Sequence, residues 1–213
     1  MDQATVKIVL NILDKKYPTI AMHEVHGHDP FQMLVAVILS QRSRDSVTVP
    51  VAKTLFETVK TPADFVTISQ TDLEQKIHAI GFYHAKAAAL KKMSALLVEK
   101  YQGKVPSTEE ELLSLPQVGR KTANIILTTF FNTPQIAVDI HVHRITNRLG
   151  WIQTTTPEQS EKALTDLIPK KLHSIVNRVF VAHGQTICLP RIPKCSMCPI
   201  EKYCQKVGVT KFI

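Results

Sequence analysis

A lysine and an aspartate in two neighbouring motifs are the residues best suited to chemistry in this chain. Lys121 lies in the string LPQVGRKTAN, and Asp139 follows eighteen residues later in the string VDIHVHR. Pro116 and Gly119 predict a tight turn that leads into a new helix, whose first N–H groups are unpaired and can bind phosphate. In the first turn of that helix, the positive end of the dipole favours the neutral amine that a nucleophile needs.

Both residues also have an ordinary structural interpretation. A lysine that follows a helical corner is often a surface residue. Asp139 stands just before a helical stretch, where an aspartate is a common N-cap. Capping and catalysis are compatible for Asp139, and the presence of Lys121 favours the catalytic interpretation.

The cysteines form one cluster. Cys188, Cys195, Cys198 and Cys204 are the only cysteines among 213 residues, and six, two and five residues separate successive members. A disulfide framework is typical of small secreted domains, and a zinc site usually takes two close pairs of cysteines. Only Cys195 and Cys198 are so paired. The spacing therefore favours a cubane [4Fe–4S] cluster over zinc or disulfides.

Together these motifs resemble the endonuclease III family of DNA glycosylases, within the helix–hairpin–helix superfamily. The resemblance also includes DPFQMLVAVILSQRSRD at Asp29–Asp45 and IGFYHAKA at Ile80–Ala87, in the family's order. It implies base excision repair by a DNA N-glycosylase with AP (β-elimination) lyase activity, acting on oxidised pyrimidines and abasic sites. Lys121 would form a Schiff base with the sugar, Asp139 would assist, and the four cysteines would bind a [4Fe–4S] cluster.

The resemblance further implies that the hairpin binds the DNA backbone. The N–H groups around Gln117, Gly119 and Lys121 would contact phosphate. The family usually has glycine where this chain has Gln117. If that position needs a positive φ, glutamine lowers the stability of the fold by on the order of 1 kcal/mol relative to glycine.

A second set of expected DNA contacts surrounds the extruded nucleotide. The family commonly has glutamine where this chain has Arg42, to fill the gap that the extruded base leaves. Gln41 is the alternative for that role. Phe82 stands where an apolar wedge is typical, although it could instead pack in the core. Ile140 replaces a common threonine and leaves the base preference open.

Basic residues near both motifs complete the predicted DNA-binding set. His141 and Arg144 follow Asp139, and Arg191 and Lys194 lie between the first two cysteines. His141 could equally be a structural histidine, and Arg144 could face solvent. Three further histidines, which we interpret as loop residues rather than metal ligands, are His23, His26 and His28.

Composition agrees with a nucleic-acid partner. The formal net charge is +8 and the isoelectric point is near 9.4. Lysines and arginines near phosphates release counterions, so double-stranded DNA is the expected partner. The longest apolar run, Met33–Leu39, is too short to span a membrane, and Asp2, Lys7 and Asp14 argue against a signal peptide. We therefore expect an intracellular monomer in the cytoplasm or nucleoid, without a membrane.

Apolar residues recur at helical spacing nearly throughout, which predicts an all-α fold. The expected helices are a first one ending before Pro18, a buried one over Phe31–Leu39, one opening at Pro62, one capped by Ser107 with Glu110, one opening at Pro157, and others near 86–100, 120–131, 141–149 and 171–185. The resemblance adds two lobes with a DNA groove between them. A six-helix lobe would span 23–133, and a discontinuous cluster lobe would combine 1–22 with 134–213.

The sequence leaves two alternative functions open. A uracil or thymine mismatch glycosylase would share the fold and differ in its pocket. A DNA-structure-binding protein would use the hairpin without catalysis, although such a protein has no need of a nucleophile. An adenine-mismatch glycosylase is disfavoured, because Val37 stands where that branch has its catalytic glutamate.

Overall fold

The computed structural model describes residues 2–19 and 29–213. Within these ranges the chain is all-helical, as predicted, and forms no β-strand. The α-helices are α1 (Gln3–Lys16), α2 (Pro30–Ser40), α3 (Asp45–Thr58), α4 (Pro62–Thr67), α5 (Gln70–Lys76), α6 (Tyr83–Tyr101), α7 (Glu109–Leu113), α8 (Arg120–Phe130), α9 (Ile140–Arg148), α10 (Pro157–Leu167) and α11 (His173–Thr186). Three short 3-10 helices cover Lys170–Leu172, Cys195–Met197 and Glu201–Tyr203. None of the described helices is long and apolar enough to cross a membrane.

One compact unit spans Ala21–Phe131 and contains α2 to α8. Its centre is α2, in which Phe31 and every residue from Met33 to Leu39 are buried. Helices α3, α6 and α8 pack against α2. A helix that is apolar on all sides needs such complete cover, which explains its place in the middle of the unit.

The other compact unit joins Met1–Ile20 to Asn132–Ile213. Helices α1 and α9 both pack against α11. Trp151 and Phe180 meet edge to face in its core, with 5.7 Å between ring centres. The lobe boundaries expected from the family, 23–133 and 1–22 plus 134–213, stay a prediction.

The starts of several helices follow the expected capping rules. Asp29 caps α2, Thr61 and Asp64 form a capping box on α4, and Thr156 caps α10. The capping box predicted for Ser107 and Glu110 is wrong by one residue. Thr108 is the N-cap of α7, because its hydroxyl accepts from the Glu111 amide and donates to the Glu111 carboxylate.

Candidate active site and cysteine cluster

The hairpin between α7 and α8 is a tight turn of four residues. The Val118 amide donates to the Leu115 carbonyl at 3.1 Å, and both side chains are buried. Pro116 occupies the second position, and Gln117 occupies the third with a φ of 63°. This is the pattern of a type II β-turn, whose third position favours glycine. Gln117 has this positive φ, and a non-glycine residue in that conformation lowers the free energy of unfolding by about 1 kcal/mol.

Helix α8 begins immediately after this turn. Gly119 is the N-cap, with a φ of −99° and no side-chain hydrogen bond to the first turn. Lys121 is the second residue of α8 and is half-buried. Its amine has no hydrogen bond or ion pair within residues 2–19 and 29–213. The start of α8 thus combines backbone donors, a helix dipole and an uncommitted amine.

Asp139 is the N-cap of α9. Its Oδ1 accepts hydrogen bonds from the amides of His141 and Val142, both at 2.9 Å. Both bonds use the same oxygen, so the cap leaves Oδ2 uncommitted to the helix. The two amides fix the orientation of the carboxylate, and Oδ2 is the oxygen that could accept a proton or face a positive charge.

Arg144 lies inside its own unit rather than on an open surface. Its Nη2 donates to the carbonyls of Cys188 at 2.9 Å and Gly184 at 3.3 Å, and lies 3.1 Å from Nδ1 of His141. Burial lowers the pKa of Arg144. A Cβ at Gly184 would stand 2.3 Å from His141 Nδ1, so the ring packs directly on this glycine. These contacts give Arg144 and His141 a bracing role, and their contact with DNA stays a prediction.

The four cysteines line one cavity in the unit that contains α9 and α11. All four are half-buried, and none forms a disulfide. Burial raises the pKa of the Cys195, Cys198 and Cys204 thiols, that of Cys198 to about 11. The protein alone therefore disfavours the thiolate form that metal binding requires, and a bound cation would supply the missing positive charge.

Nitrogen atoms lie beside three of the cysteine sulfurs. Nη1 of Arg148 donates to Cys188 Sγ at 3.4 Å, and the Lys206 amide donates to Cys204 Sγ at 3.3 Å. Nε2 of His183 lies 3.6 Å from Cys198 Sγ. Burial lowers the pKa of His183 to about 4, so its ring is neutral near pH 7 and can donate one N–H.

The loop after Cys188 is held by several bonds. Nη1 of Arg148 donates to the Leu189 carbonyl at 2.7 Å, and the Ile213 amide donates to the Pro193 carbonyl at 3.0 Å. Arg191 is exposed on this loop and Lys194 is half-buried. Arg148 is therefore a structural brace in this unit.

The residues expected to surround an extruded nucleotide lie in two neighbouring loops. Gln41 and Arg42 follow α2, and Phe82 precedes α6. Phe82 is 64% exposed, which excludes its alternative role in the core. The histidines His23, His26 and His28 lie outside the described residues.

Sequence reasoning missed Lys86, which is buried at 5% exposure. A signal for it was available, because Lys86 shares a helical face with Leu90, Met93 and Leu97. All three are fully buried. A lysine on the apolar stripe of a helix must either reach solvent or find buried acceptors. Lys86 finds buried acceptors, because its Nζ donates to the Leu39 carbonyl at 2.8 Å and to the Gln41 carbonyl at 2.6 Å.

The chain is similar to a known protein family and to a relative of known name. Residues 35–170 match the family model described as HhH-GPD superfamily base excision DNA repair protein. Endonuclease III of Thermotoga maritima is 47% identical over 177 residues, which are 83% of each chain.

Two solved structures are similar over almost the whole chain. A non-covalent endonuclease III–DNA complex has a TM-score of 0.87 and 36% identity, with 97% of this chain and 96% of that chain covered. A trapped endonuclease III–DNA covalent intermediate, an estranged-adenine complex, has a TM-score of 0.84 and 36% identity, with 97% of each chain covered.

These matches first define the class, a helix–hairpin–helix base excision DNA repair protein. Within that class, the chain belongs to the endonuclease III family of DNA glycosylases and AP lyases.

Proposed function

We propose that this protein binds double-stranded DNA, removes oxidised pyrimidines and cleaves abasic sites, with Lys121 as the nucleophile. The observation that carries this proposal is the uncommitted amine of Lys121 in the first turn of α8, directly after a tight hairpin turn. A related protein solved as a trapped covalent complex with DNA supports a covalent route. The DNA substrate implies action inside the cell, at the nucleoid, and we expect a monomer.

The proposed reaction begins with extrusion of the damaged nucleotide, because stacking shields the sugar carbon C1′ in a duplex. The Lys121 nitrogen forms a bond to C1′, and the base departs with the electron pair of the glycosidic bond. Loss of the nitrogen's proton and ring opening give a Schiff base. Loss of a C2′ proton then expels the 3′ phosphate by β-elimination.

Asp139 supports the positive charge that develops on the sugar, or transfers a proton. Its position as N-cap supports this role, because two backbone amides fix the orientation of the carboxylate. The oxygen that does not cap α9 is the one proposed to act.

The hairpin and the cysteine loop are the proposed phosphate contacts. Amides around Gln117 and Gly119 precede a helix start, where anions bind. Arg191 and Lys194 extend from the braced cysteine loop and add positive charge. Contacts from His141 and Arg144 belong to the same proposal, although both side chains are engaged within their unit.

We further propose that Cys188, Cys195, Cys198 and Cys204 bind a [4Fe–4S] cluster. The donor set fits, because four half-buried thiols line one cavity and nitrogen atoms lie beside three of the sulfurs. Among the described residues, no three His, Cys, Asp or Glu side chains are grouped around one ion position. A cubane does not require such a group, since each cysteine binds its own iron. The bound cluster would hold the loop that carries Arg191 and Lys194.

An excision panel tests the proposed function. Duplexes that contain thymine glycol, 5-hydroxycytosine, uracil opposite guanine or thymine opposite guanine are incubated with the protein, and base release and strand nicking are measured. We expect release and nicking with the two oxidised pyrimidines. Lys121→Gln should abolish nicking, whereas the control Lys162→Gln, an exposed lysine on α10, should not change it.

Two outcomes would contradict the proposal. Excision of only the mismatched uracil or thymine would identify a mismatch glycosylase. Binding without release or nicking on any duplex would identify a DNA-structure-binding protein.

A further inference from the structure

An irregular segment, residues 132–138, leads the chain into Asp139, and we name it the approach segment. It forms no helix, so its buried carbonyl groups need partners outside regular secondary structure. The three residues directly before Asp139 are buried, namely Ile136, Ala137 and Val138. The position of the Asp139 carboxylate therefore depends on what holds this segment.

Asn177 of α11 holds the end of the approach segment. Its Nδ2 donates to the Ala137 carbonyl at 2.8 Å, two residues before Asp139 and across 40 residues of sequence. Ala137 is 3% exposed, so its carbonyl would be left without a partner if the donor were removed. The backbone would then shift to find another donor.

His173, one turn earlier on α11, holds the beginning of the same segment. Its ring is buried between two carbonyl oxygens, with Nδ1 3.0 Å from that of Pro134 and Nε2 2.8 Å from that of Ile168. Carbonyl oxygens only accept, so the ring is a donor in either tautomer. His173 thus joins the approach segment to the end of α10.

The same helix also holds the chain after Asp139. The ring of His141 packs on Gly184, and Nη2 of Arg144 donates to the Gly184 carbonyl at 3.3 Å. Gly184 follows His173 by eleven residues and Asn177 by seven, close to three and two helical turns, so the three share one face of α11. This face therefore fixes the backbone on both sides of Asp139.

We propose that Asn177 and His173 are positioning residues for Asp139. They act through the approach segment, which holds the carboxylate so that the oxygen not used in capping α9 meets the extruded sugar. Orientation of this kind controls rate, because a displacement of about 1 Å at a reacting group can lower it by about 100-fold. This inference rests on the proposed function, because it requires the proposed role of Asp139.

The first test removes the donor of Asn177. Asn177→Leu cannot donate, and Asn177→Asp keeps the shape of the side chain while its ionised carboxylate only accepts. Both should lower single-turnover excision of thymine glycol by roughly 10- to 100-fold. The Kd for a duplex with a tetrahydrofuran abasic analogue should stay unchanged, because Asn177 acts on the chemical step.

The matched control is Arg178→Leu. Arg178 is the next residue of α11 and is bonded to α1 instead, through the Asp14 carboxylate and the Tyr17 carbonyl. Its loss should lower the melting temperature and keep the wild-type rate of excision. A fall in excision equal to that of Asn177→Leu would mean that any weakening of α11 has this effect, and would overturn the proposal.

A double variant shows whether the effect passes through Asp139. In Asp139→Asn the carboxylate that Asn177 positions is absent, so adding Asn177→Leu should lower excision by no more than about twofold further. A further loss of roughly tenfold would show that Asn177 acts independently of Asp139. That result would overturn the positioning role.

His173 is tested by rescue. His173→Leu should lower excision in the same way as Asn177→Leu, and His173→Lys, which supplies donors to the same carbonyls, should restore most of the rate. A purely structural role would lower the melting temperature of His173→Leu and leave its excision unchanged.

These outcomes are distinguishable from a failure of the proposed function. Wild-type excision by Asn177→Leu and His173→Leu refutes only their positioning role. Wild-type excision by Asp139→Asn refutes the proposed role of Asp139 and this inference with it. Absence of base release and nicking in the wild type refutes the proposed function itself.

Discussion

At the scale of single residues, substitutions can separate the observed capping role of Asp139 from its proposed role in catalysis. Asparagine is also a good N-cap but carries no charge. Asp139→Asn should therefore keep the free energy of unfolding within about 0.5 kcal/mol of the wild type and lower excision by about 100-fold. Asp139→Ala should lose the same activity and about 1 kcal/mol of stability as well.

Denaturant unfolding and single-turnover excision check this pair of variants. Wild-type excision by Asp139→Asn would show that Asp139 is only a helix cap. The matched control is Thr156→Ala, which removes the cap of α10 and should lower stability without changing excision.

Gln117 provides a test of backbone strain. Glycine adopts a positive φ without steric cost, so Gln117→Gly should raise the free energy of unfolding by up to about 1 kcal/mol. Gln102 has the same residue type and a φ of 54° at the end of α6. Gln102→Gly should therefore stabilise by a similar amount in denaturant unfolding. A loss of stability in Gln117→Gly alone would mean that the Gln117 side chain makes a compensating contact.

The place of the candidate residues at helix starts could be predicted from sequence, but long-range hydrogen bonds could not. Lys121 and Asp139 belong to contiguous motifs, and both lie at helix starts as expected. The bonds of Lys86 join residues 45 and 47 positions apart. Only the folded chain brings those groups together, so a local pattern cannot show which carbonyls a buried lysine will meet.

At the scale of elements, strongly patterned helices were predictable, whereas α3 and α5 were missed. Helices α4 and α10 begin at their expected proline residues. Helix α3 contains Pro50 and several β-branched residues, all of which lower helix propensity. Its buried residues, Thr48, Ala52, Leu55 and Phe56, show that tertiary packing overrides this local preference.

The cysteine loop makes a separate prediction for DNA binding. Replacing Arg191 and Lys194 together with alanine should weaken binding to all DNA sequences. Each lost phosphate contact lowers the slope of log K against log salt by about 0.9, so the slope should fall by roughly 2. Titration of a labelled duplex at several salt concentrations measures this slope. The control replaces Lys7 and Lys15, exposed on α1, and an equal fall in the control would contradict a specific role of the loop.

At the scale of the whole molecule, the cofactor can be tested by analysis of the purified protein. A [4Fe–4S] cluster requires about four irons and four sulfides per chain. Cys198→Ser should lower both contents and the melting temperature. One zinc per chain without sulfide would contradict the cluster and support the zinc alternative.

The basic character of the chain, +8 overall, was readable from composition and agrees with a DNA partner. The division into two compact units could not be predicted from composition. One unit is assembled from the first 20 residues and the last 82. No shift of composition marks the points where the chain leaves and re-enters it, because both units are built from amphipathic helices of similar type.

The most direct test of the central claim is to locate the covalent bond. The protein is incubated with an abasic duplex and borohydride, digested with protease, and the peptide that carries the reduced sugar is identified by mass spectrometry. We predict that the sugar is attached to the ε-nitrogen of Lys121. Attachment to another lysine or to the N-terminal amine would contradict the assignment of Lys121 as the nucleophile.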